Sequence, residues 1–249
     1  MTIHQLFLDL PHHSAVGRDD FFMNEANAHA LSMIDCWPSW PDRVLVLCGP
    51  EGSGKSHLAC VWQQISGAQM VDLGGLNQAL AEGIGQCAVI VEDIHQCPKD
   101  GERKLLHLVN MVRQEKGWLL LTSRLTPTKW PICLPDLASR LRAAPHVFLE
   151  SPDDTLLAAV LDKLLRDRQL RVSEDLVHYM VSRMERSLAA AGRLVEALDA
   201  VSLGEGKSIT KGLVLLVLAK IMKEGRIRQE VTGFVSGGGA TYSDRGSLL

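Results

Sequence analysis

The chain has 249 residues, 46% of them apolar and only 5% aromatic, enough for a substantial core and for two domains. Its formal net charge of -3 offers no global attraction to a phosphate backbone or an anionic membrane, which disfavours a protein that coats duplex DNA. The six cysteines form no C-x-x-C pair and have no His at zinc-ligand spacing, so buried free thiols are expected instead of a metal site.

Residues 1–14 read as a flexible arm, in which the apolar hexapeptide Gln5-Leu6-Phe7-Leu8-Asp9-Leu10 precedes Pro11 and two histidines. The start MTIHQLFLDLPHH lacks the basic residues and long apolar run of a secretory signal, which places the protein in a reducing cytoplasm. From Asp20 apolar residues recur at helical intervals, with Asn24 as an N-cap and Pro38 and Pro41 as breakers. RVLVLCG then reads as a buried parallel strand, being a continuous apolar run without polar alternation, and KSHLACVWQQISG as the helix after it.

The same alternation continues. The pattern predicts strands at Gln69 to Leu73, Cys87 to Val91 and Trp118 to Thr122, with helices at Leu76 to Glu82 and Glu102 to Lys116. Alternating strands and helices imply an α/β domain over 15–150, a parallel sheet covered on both faces. After Glu150 the strand signals stop, and helices are predicted over 155–169, 173–186, 187–203 and 210–222, with Asp154, Ser173, Ser187 and Thr210 as caps. These make a small all-helical domain over 151–222. The Gly-rich stretch within 223–249 predicts a flexible tail. The longest apolar run, Leu213 to Ala219, is about a third of a bilayer crossing, so no membrane partner is expected.

The most informative residues are Gly49-Pro50-Glu51-Gly52-Ser53-Gly54-Lys55-Ser56, which satisfy G-x-x-x-x-G-K-[ST] between a predicted strand and a predicted helix. Glycines let the backbone turn so that successive N–H groups point at phosphate oxygens, and the helix adds its positive end. Lys55 should reach the β- and γ-phosphates of ADP or ATP, and Ser56 should hold Mg²⁺. The strand Ala88-Val89-Ile90-Val91 ends in Glu92 and Asp93. In such a place the first acid can orient Mg²⁺ and the second can polarise an attacking water; a solvated acidic strand end is the other reading. Glu92 stands where Asp is usual, and its extra methylene displaces the carboxylate.

With these pieces in place, residues 15–220 resemble the AAA+ P-loop ATPases, and within them the DnaA-related branch. Trp118-Leu119-Leu120-Leu121-Thr122-Ser123 is similar to the strand whose polar end watches the γ-phosphate in that family, although Arg124 follows where the family has Asp. Leu134-Pro135-Asp136-Leu137-Ala138-Ser139-Arg140-Leu141 resembles the arginine-finger segment, which implies that Arg140 acts in trans on a nucleotide held by a neighbouring molecule. Ala190-Ala191-Gly192-Arg193-Leu194 is similar to the helix whose arginine folds over the phosphates, implying that role for Arg193. For both arginines an ordinary exposed side chain is the alternative. Arg18-Asp19-Asp20-Phe21-Phe22-Met23-Asn24 resembles the segment that contacts adenine.

Residues 223–249 are too few and too Gly-rich for the helix-turn-helix module of an initiator, so direct sequence-specific DNA binding is not expected. Gln5, Leu6, Phe7, Leu8 and Leu10 resemble the QL-x-L-x-L peptide by which bacterial proteins dock on the sliding clamp of DNA polymerase; a hydrophobic flap or edge strand is the alternative. Together these resemblances imply a cytoplasmic protein brought to the nucleoid by the clamp, where it promotes hydrolysis of ATP on DnaA and inhibits initiation. They leave room for a homodimer. The competing expectation is an autonomous AAA+ ATPase that loads or remodels another replication protein.

Overall fold

The computed structural model describes residues 22–76, 87–205 and 208–236. Five strands, β1 (Val44–Cys48), β2 (Gln69–Val71), β3 (Ala88–Val91), β4 (Trp118–Ser123) and β5 (His146–Phe148), form one sheet in the order β2-β3-β4-β1-β5. Every pairing is parallel. Helices α1 (Ala28–Asp35), α2 (Lys55–Ser66), α3 (Glu102–Gln114) and α4 (Pro135–Ala143) alternate with the strands in sequence. They are followed by α5 (Asp154–Asp167), α6 (Glu174–Val181), α7 (Leu188–Glu205) and α8 (Lys211–Ser236).

All five residues of β1 are buried, as the unbroken apolar run requires for a strand covered on both faces. The pleat divides them. Val44, Val46 and Cys48 join Val89, Val91, Leu119 and Leu121 on one face, against α3 and α4. Leu45 and Leu47 join Ile90, Leu120 and Val147 on the other, against α1 and α2. Helix α3 meets its face through Leu105, Leu108, Val109 and Val112, the i, i+3, i+4, i+7 stripe of an amphipathic helix. Near the start of β4, Trp40 stacks on Trp62 at 5.0 Å and the Arg43 guanidinium lies 4.1 Å over the Trp118 ring.

The chain divides into two compact units. One runs up to Val160 and includes Arg186–Ala189; the other comprises Leu161–Glu185 and the chain from Ala190 onward. The division therefore falls inside α5, beyond the boundary at 150 expected from the loss of strand signals. In the helical unit Leu161, Leu165, Met180, Leu194, Leu198 and Val214 are buried, and Arg168 is paired with Asp199 at 3.6 Å.

The structure departs from the sequence expectations in specific places. Strand β5 is not among the expected elements, because three residues with only Val147 buried, directly after Pro145, carry no periodic signal. Helix α1 begins at Ala28 with Asn27 at the N-cap position, while the Asn24 carbonyl accepts from Ala28 N–H at 2.8 Å. At the start of α5 Asp153, not Asp154, accepts from a backbone N–H, that of Leu156 at 2.7 Å. Thr210 does serve α8, its Oγ1 accepting from Leu213 N–H at 3.3 Å. Helix α8 continues past residue 222 to Ser236, through Gly225 and Gly233. The arm, most of the expected helix from Leu76 and the end of the tail lie outside the described residues. No described helix is long and apolar enough to cross a membrane.

Leu108 is fully buried at the centre of the α3 stripe. Leu108→Ala is expected to lower stability by about 2–5 kcal/mol. Urea unfolding should show a lower midpoint with an unchanged slope.

Candidate nucleotide site

A parallel sheet puts the carboxyl ends of its strands on one edge, and here that edge gathers the residues singled out by the sequence. β1 leads into the loop Gly49–Gly54, β3 into Glu92 and Asp93, and β4 into Arg124. The Gly49 N–H donates to the Ser123 carbonyl at 3.1 Å, carrying the β1–β4 pairing on into the loop. Gly52 has φ +72, and a Cβ there would sit 1.9 Å from Ser187 Oγ. Its carbonyl accepts from Leu188 N–H at 2.9 Å, so the loop is braced by the chain entering α7. At Gly49 a Cβ would come within 2.4 Å of the Leu149 carbonyl oxygen. Helix α2 starts immediately after Gly54, and no side chain caps it. Its first N–H groups lack intrahelical acceptors and form, with the loop, an anion cradle.

Lys55 is the first residue of that helix and is buried. Its ammonium donates to the carbonyls of Gly49 at 2.9 Å and Pro50 at 2.7 Å. Burial lowers its pKa below the ordinary lysine value, Asp93 acts against that, and Arg124 adds to it. Behind it, the thiol of Cys48 is pushed up to about 12 by burial. It is a neutral core group and no nucleophile.

Asp93 takes a left-handed backbone conformation with φ 52, a sparsely populated region for a residue other than glycine. Its N–H donates to Thr122 Oγ1 at 3.0 Å, and its carboxylate lies 3.8 Å from His95 Nδ1. His95 is nearly buried, and that burial lowers its pKa, with Asp93 opposing the shift and Arg124 and Lys55 adding to it. The imidazole is therefore neutral at pH 7, consistent with Nδ1 accepting from Arg124 N–H at 3.4 Å. Arg124 Nη1 reaches Glu51 Oε2 at 2.6 Å. His95 escapes a reading of the sequence because no motif spacing ties it to the loop.

The donor set suits a magnesium-bound nucleotide. Glu92 Oε1 and Ser53 Oγ are buried oxygens without a hydrogen-bond partner, and the Ser56 hydroxyl belongs to an exposed residue in the first turn of α2. Orphaned oxygens such as those of Glu92 and Ser53 suit a hard cation or its bound water, and Ser56 and Glu92 are the residues that could hold one here.

No protein-family model matches the sequence. Among solved structures the chain is similar to domain III of the Thermotoga maritima replication initiation protein DnaA. The TM-score is 0.71 at 17% identity, over 82% of this chain and 96% of that one. It is also similar to AMPPCP-bound DnaA from Aquifex aeolicus, with TM-score 0.62 and 15% identity over 92% and 77% of the two chains. The Thermotoga maritima RuvB Holliday junction branch migration motor matches with TM-score 0.63 and 17% identity over 82% and 71%. The chain has the fold that DnaA domain III and RuvB share.

Within that fold Arg140 lies on α4, partly exposed, with Nε donating to Asp136 Oδ1 at 3.0 Å. The chain entering α4 is fixed by a residue that no motif singles out. Glu102, only 3% exposed at the start of α3, accepts from Cys133 N–H at 3.0 and 3.1 Å and from Leu134 N–H at 2.7 Å. A glutamate opening an amphipathic helix looks like a solvated dipole partner, and nothing in its spacing reveals donors 31 residues away. Arg193, on α7 in the helical unit, lies 3.6 Å from Glu185. Of the segment likened to an adenine contact, only Phe22, Met23 and Asn24 fall within the described residues; Asn24 Nδ2 donates to Asp153 Oδ2 at 3.2 Å. Gln5, Leu6, Phe7, Leu8 and Leu10 fall outside them.

Two outcomes are expected from this geometry. Lys55→Ala should weaken ADP binding by at least about tenfold in calorimetry, because it removes the ammonium at the foot of the loop. Glu102→Ala removes charge-assisted hydrogen bonds and should cost at least about 1.5–3 kcal/mol. Hydrogen exchange should accelerate at Cys133 and Leu134 while β1 and β4 keep their protection.

Proposed function

We propose that this protein is a clamp-tethered negative regulator of replication initiation of the Hda kind. It holds ADP or ATP with Mg²⁺ at Gly49–Ser56, docks on the sliding clamp through Gln5, Leu6, Phe7, Leu8 and Leu10, and presents Arg140 to the ATP of DnaA. Arg193 closes over the phosphates and reports nucleotide state. When bound, the magnesium nucleotide neutralises charge in the loop and fixes the loop's conformation. Asp93 orients water near the terminal phosphate, though the chain's own turnover is weak. The clamp raises the local concentration of the regulator about DNA-loaded partners, so strong direct affinity for DnaA is unnecessary.

The observation that carries this reading is the placement of Arg140. It is partly exposed on α4 and aligned by Asp136, and the chain ahead of it is fixed by a buried carboxylate. A guanidinium so held suits transition-state charge on a phosphate supplied by another molecule. The loop carries the second part, since its cradle suits tight nucleotide binding whatever the rate of turnover.

The neutral His95 beside Asp93 favours a second reading, an autonomous ATPase that loads or remodels another protein. A neutral imidazole next to a carboxylate can take part in positioning water. That reading requires steady hydrolysis by the isolated chain, lost on Asp93→Asn.

The deciding assay is ATP hydrolysis on DnaA with DNA-loaded clamp. Arg140→Ala should leave folding and clamp retention intact and reduce stimulation by roughly 10³-fold, the scale of an arginine finger. Leu6→Ala with Phe7→Ala should abolish clamp retention with unchanged nucleotide affinity. Full stimulation by Arg140→Ala overturns the finger assignment, and unaltered retention removes the arm from the mechanism.

A further inference from the structure

The end of β4 carries two hydroxyls, Thr122 and Ser123, and both are buried in the fold. Thr122 Oγ1 accepts from the Asp93 N–H, and the fully buried Ser123 Oγ accepts from Trp130 Nε1 at 2.7 Å and from Leu125 N–H at 3.0 Å. What the strand end extends to the phosphate loop is therefore the guanidinium of Arg124. It meets Glu51, the loop's own carboxylate, at 2.6 Å, and its backbone N–H is held by the neutral His95. Both charges act on the Lys55 ammonium at the foot of the loop, in opposite senses. A cation and an anion thus balance each other within electrostatic reach of the group expected to meet the terminal phosphates.

We propose that the Arg124–Glu51 pair sets the preference of this site between a nucleoside triphosphate and a diphosphate, withholding from a triphosphate the advantage that an unpaired Arg124 would give it. The proposal rests on the reading of the loop as a nucleotide site. A triphosphate brings additional negative charge to the loop. Arg124 alone would favour that charge and Glu51 alone would oppose it; joined, they present almost no net field. Triphosphate binding then has to separate the pair or tolerate the carboxylate, whereas a diphosphate leaves it intact. Both side chains are substantially exposed, 43% for Arg124 and 65% for Glu51, so solvent and salt moderate the effect to a several-fold one.

The test is a pair of titrations of the full chain with Mg²⁺, one with ADP and one with the non-hydrolysable triphosphate AMPPCP, followed by calorimetry. The quantity read is the ratio of the ADP to the AMPPCP dissociation constant. Glu51→Gln, which frees Arg124, should raise that ratio on the order of fivefold, and Arg124→Gln, which leaves Glu51 facing the added charge, should lower it on the order of fivefold. The double variant should return close to the wild-type ratio, and both shifts should shrink in high salt. Opposite signs separate this outcome from general damage to the loop, which would weaken both ligands alike. Ratios within about twofold of wild type in both single variants, or moving the same way, overturn the proposal. Absence of binding by the wild-type chain to either nucleotide instead overturns the nucleotide reading itself, and with it the pair's role.

Discussion

The hydrogen bond from Gly49 N–H to the Ser123 carbonyl and the one from Asp93 N–H to Thr122 Oγ1 hold three strand ends in a fixed relation. The rest of the site depends on that relation. With Cys48 opposite Ser123 and Val91 opposite Leu121, the loop after β1, the acids after β3 and Arg124 after β4 emerge side by side. A slip of one residue in either pairing would turn buried Val, Leu and Ile side chains to the opposite layer, so burial on both faces enforces the register. The chemistry at the edge is in this sense a consequence of the two apolar layers beneath it. Neither layer is replaceable by the other, because alternate residues of the same strand serve each.

That dependence explains which parts of the fold could be read directly from the residues. β1, β3 and β4 are central strands with buried residues throughout nearly their whole length, and they write themselves as uninterrupted apolar runs. α3 is equally plain through its Leu105, Leu108, Val109, Val112 stripe. β5 is an edge strand with one buried residue, so its identity depends on the neighbouring β1 and not on its own composition. The continuation of α8 shows the converse failure. Gly225 and Gly233 each disfavour a helix by roughly 1 kcal/mol relative to Ala, a local preference that the surrounding sequence overrides.

The site divides along the same line. Gly49 to Ser56 are contiguous, and the fixed positions of the pattern each have a backbone or electrostatic requirement that only certain residue types meet, so the loop is visible in the sequence. Glu102, His95 and the engagement of Ser123 are visible only in three dimensions, since their partners lie 31, 29 and 7 residues away. Ser123 is the instructive case. Its position at the end of β4 suggests a polar group available to a phosphate, yet its hydroxyl is fully buried and accepts from the Trp130 indole. An indole N–H brought into a core needs an acceptor, and here that acceptor is the hydroxyl that the motif would otherwise assign to ligand.

Committing that hydroxyl to the core changes what the loop must do electrostatically. A site whose strand end offers a neutral hydroxyl can rely on Lys55 alone for terminal phosphate charge, and the preference for a longer phosphate chain follows from that single cation. Here the strand end offers a full positive charge, and a lone arginine beside a partly desolvated lysine would raise the cost of keeping Lys55 protonated, as the opposing influences of Arg124 and Asp93 on it indicate. Glu51 offsets that cost from within the loop, at a position that the motif leaves free to vary. The arginine after Ser123 is opposed at Lys55 by two carboxylates, Asp93 first and then Glu51, and Glu51 also meets the guanidinium directly at 2.6 Å. Charge balance at the loop is thus a joint property of two segments that are distant in sequence and adjacent only because β1 pairs with β4.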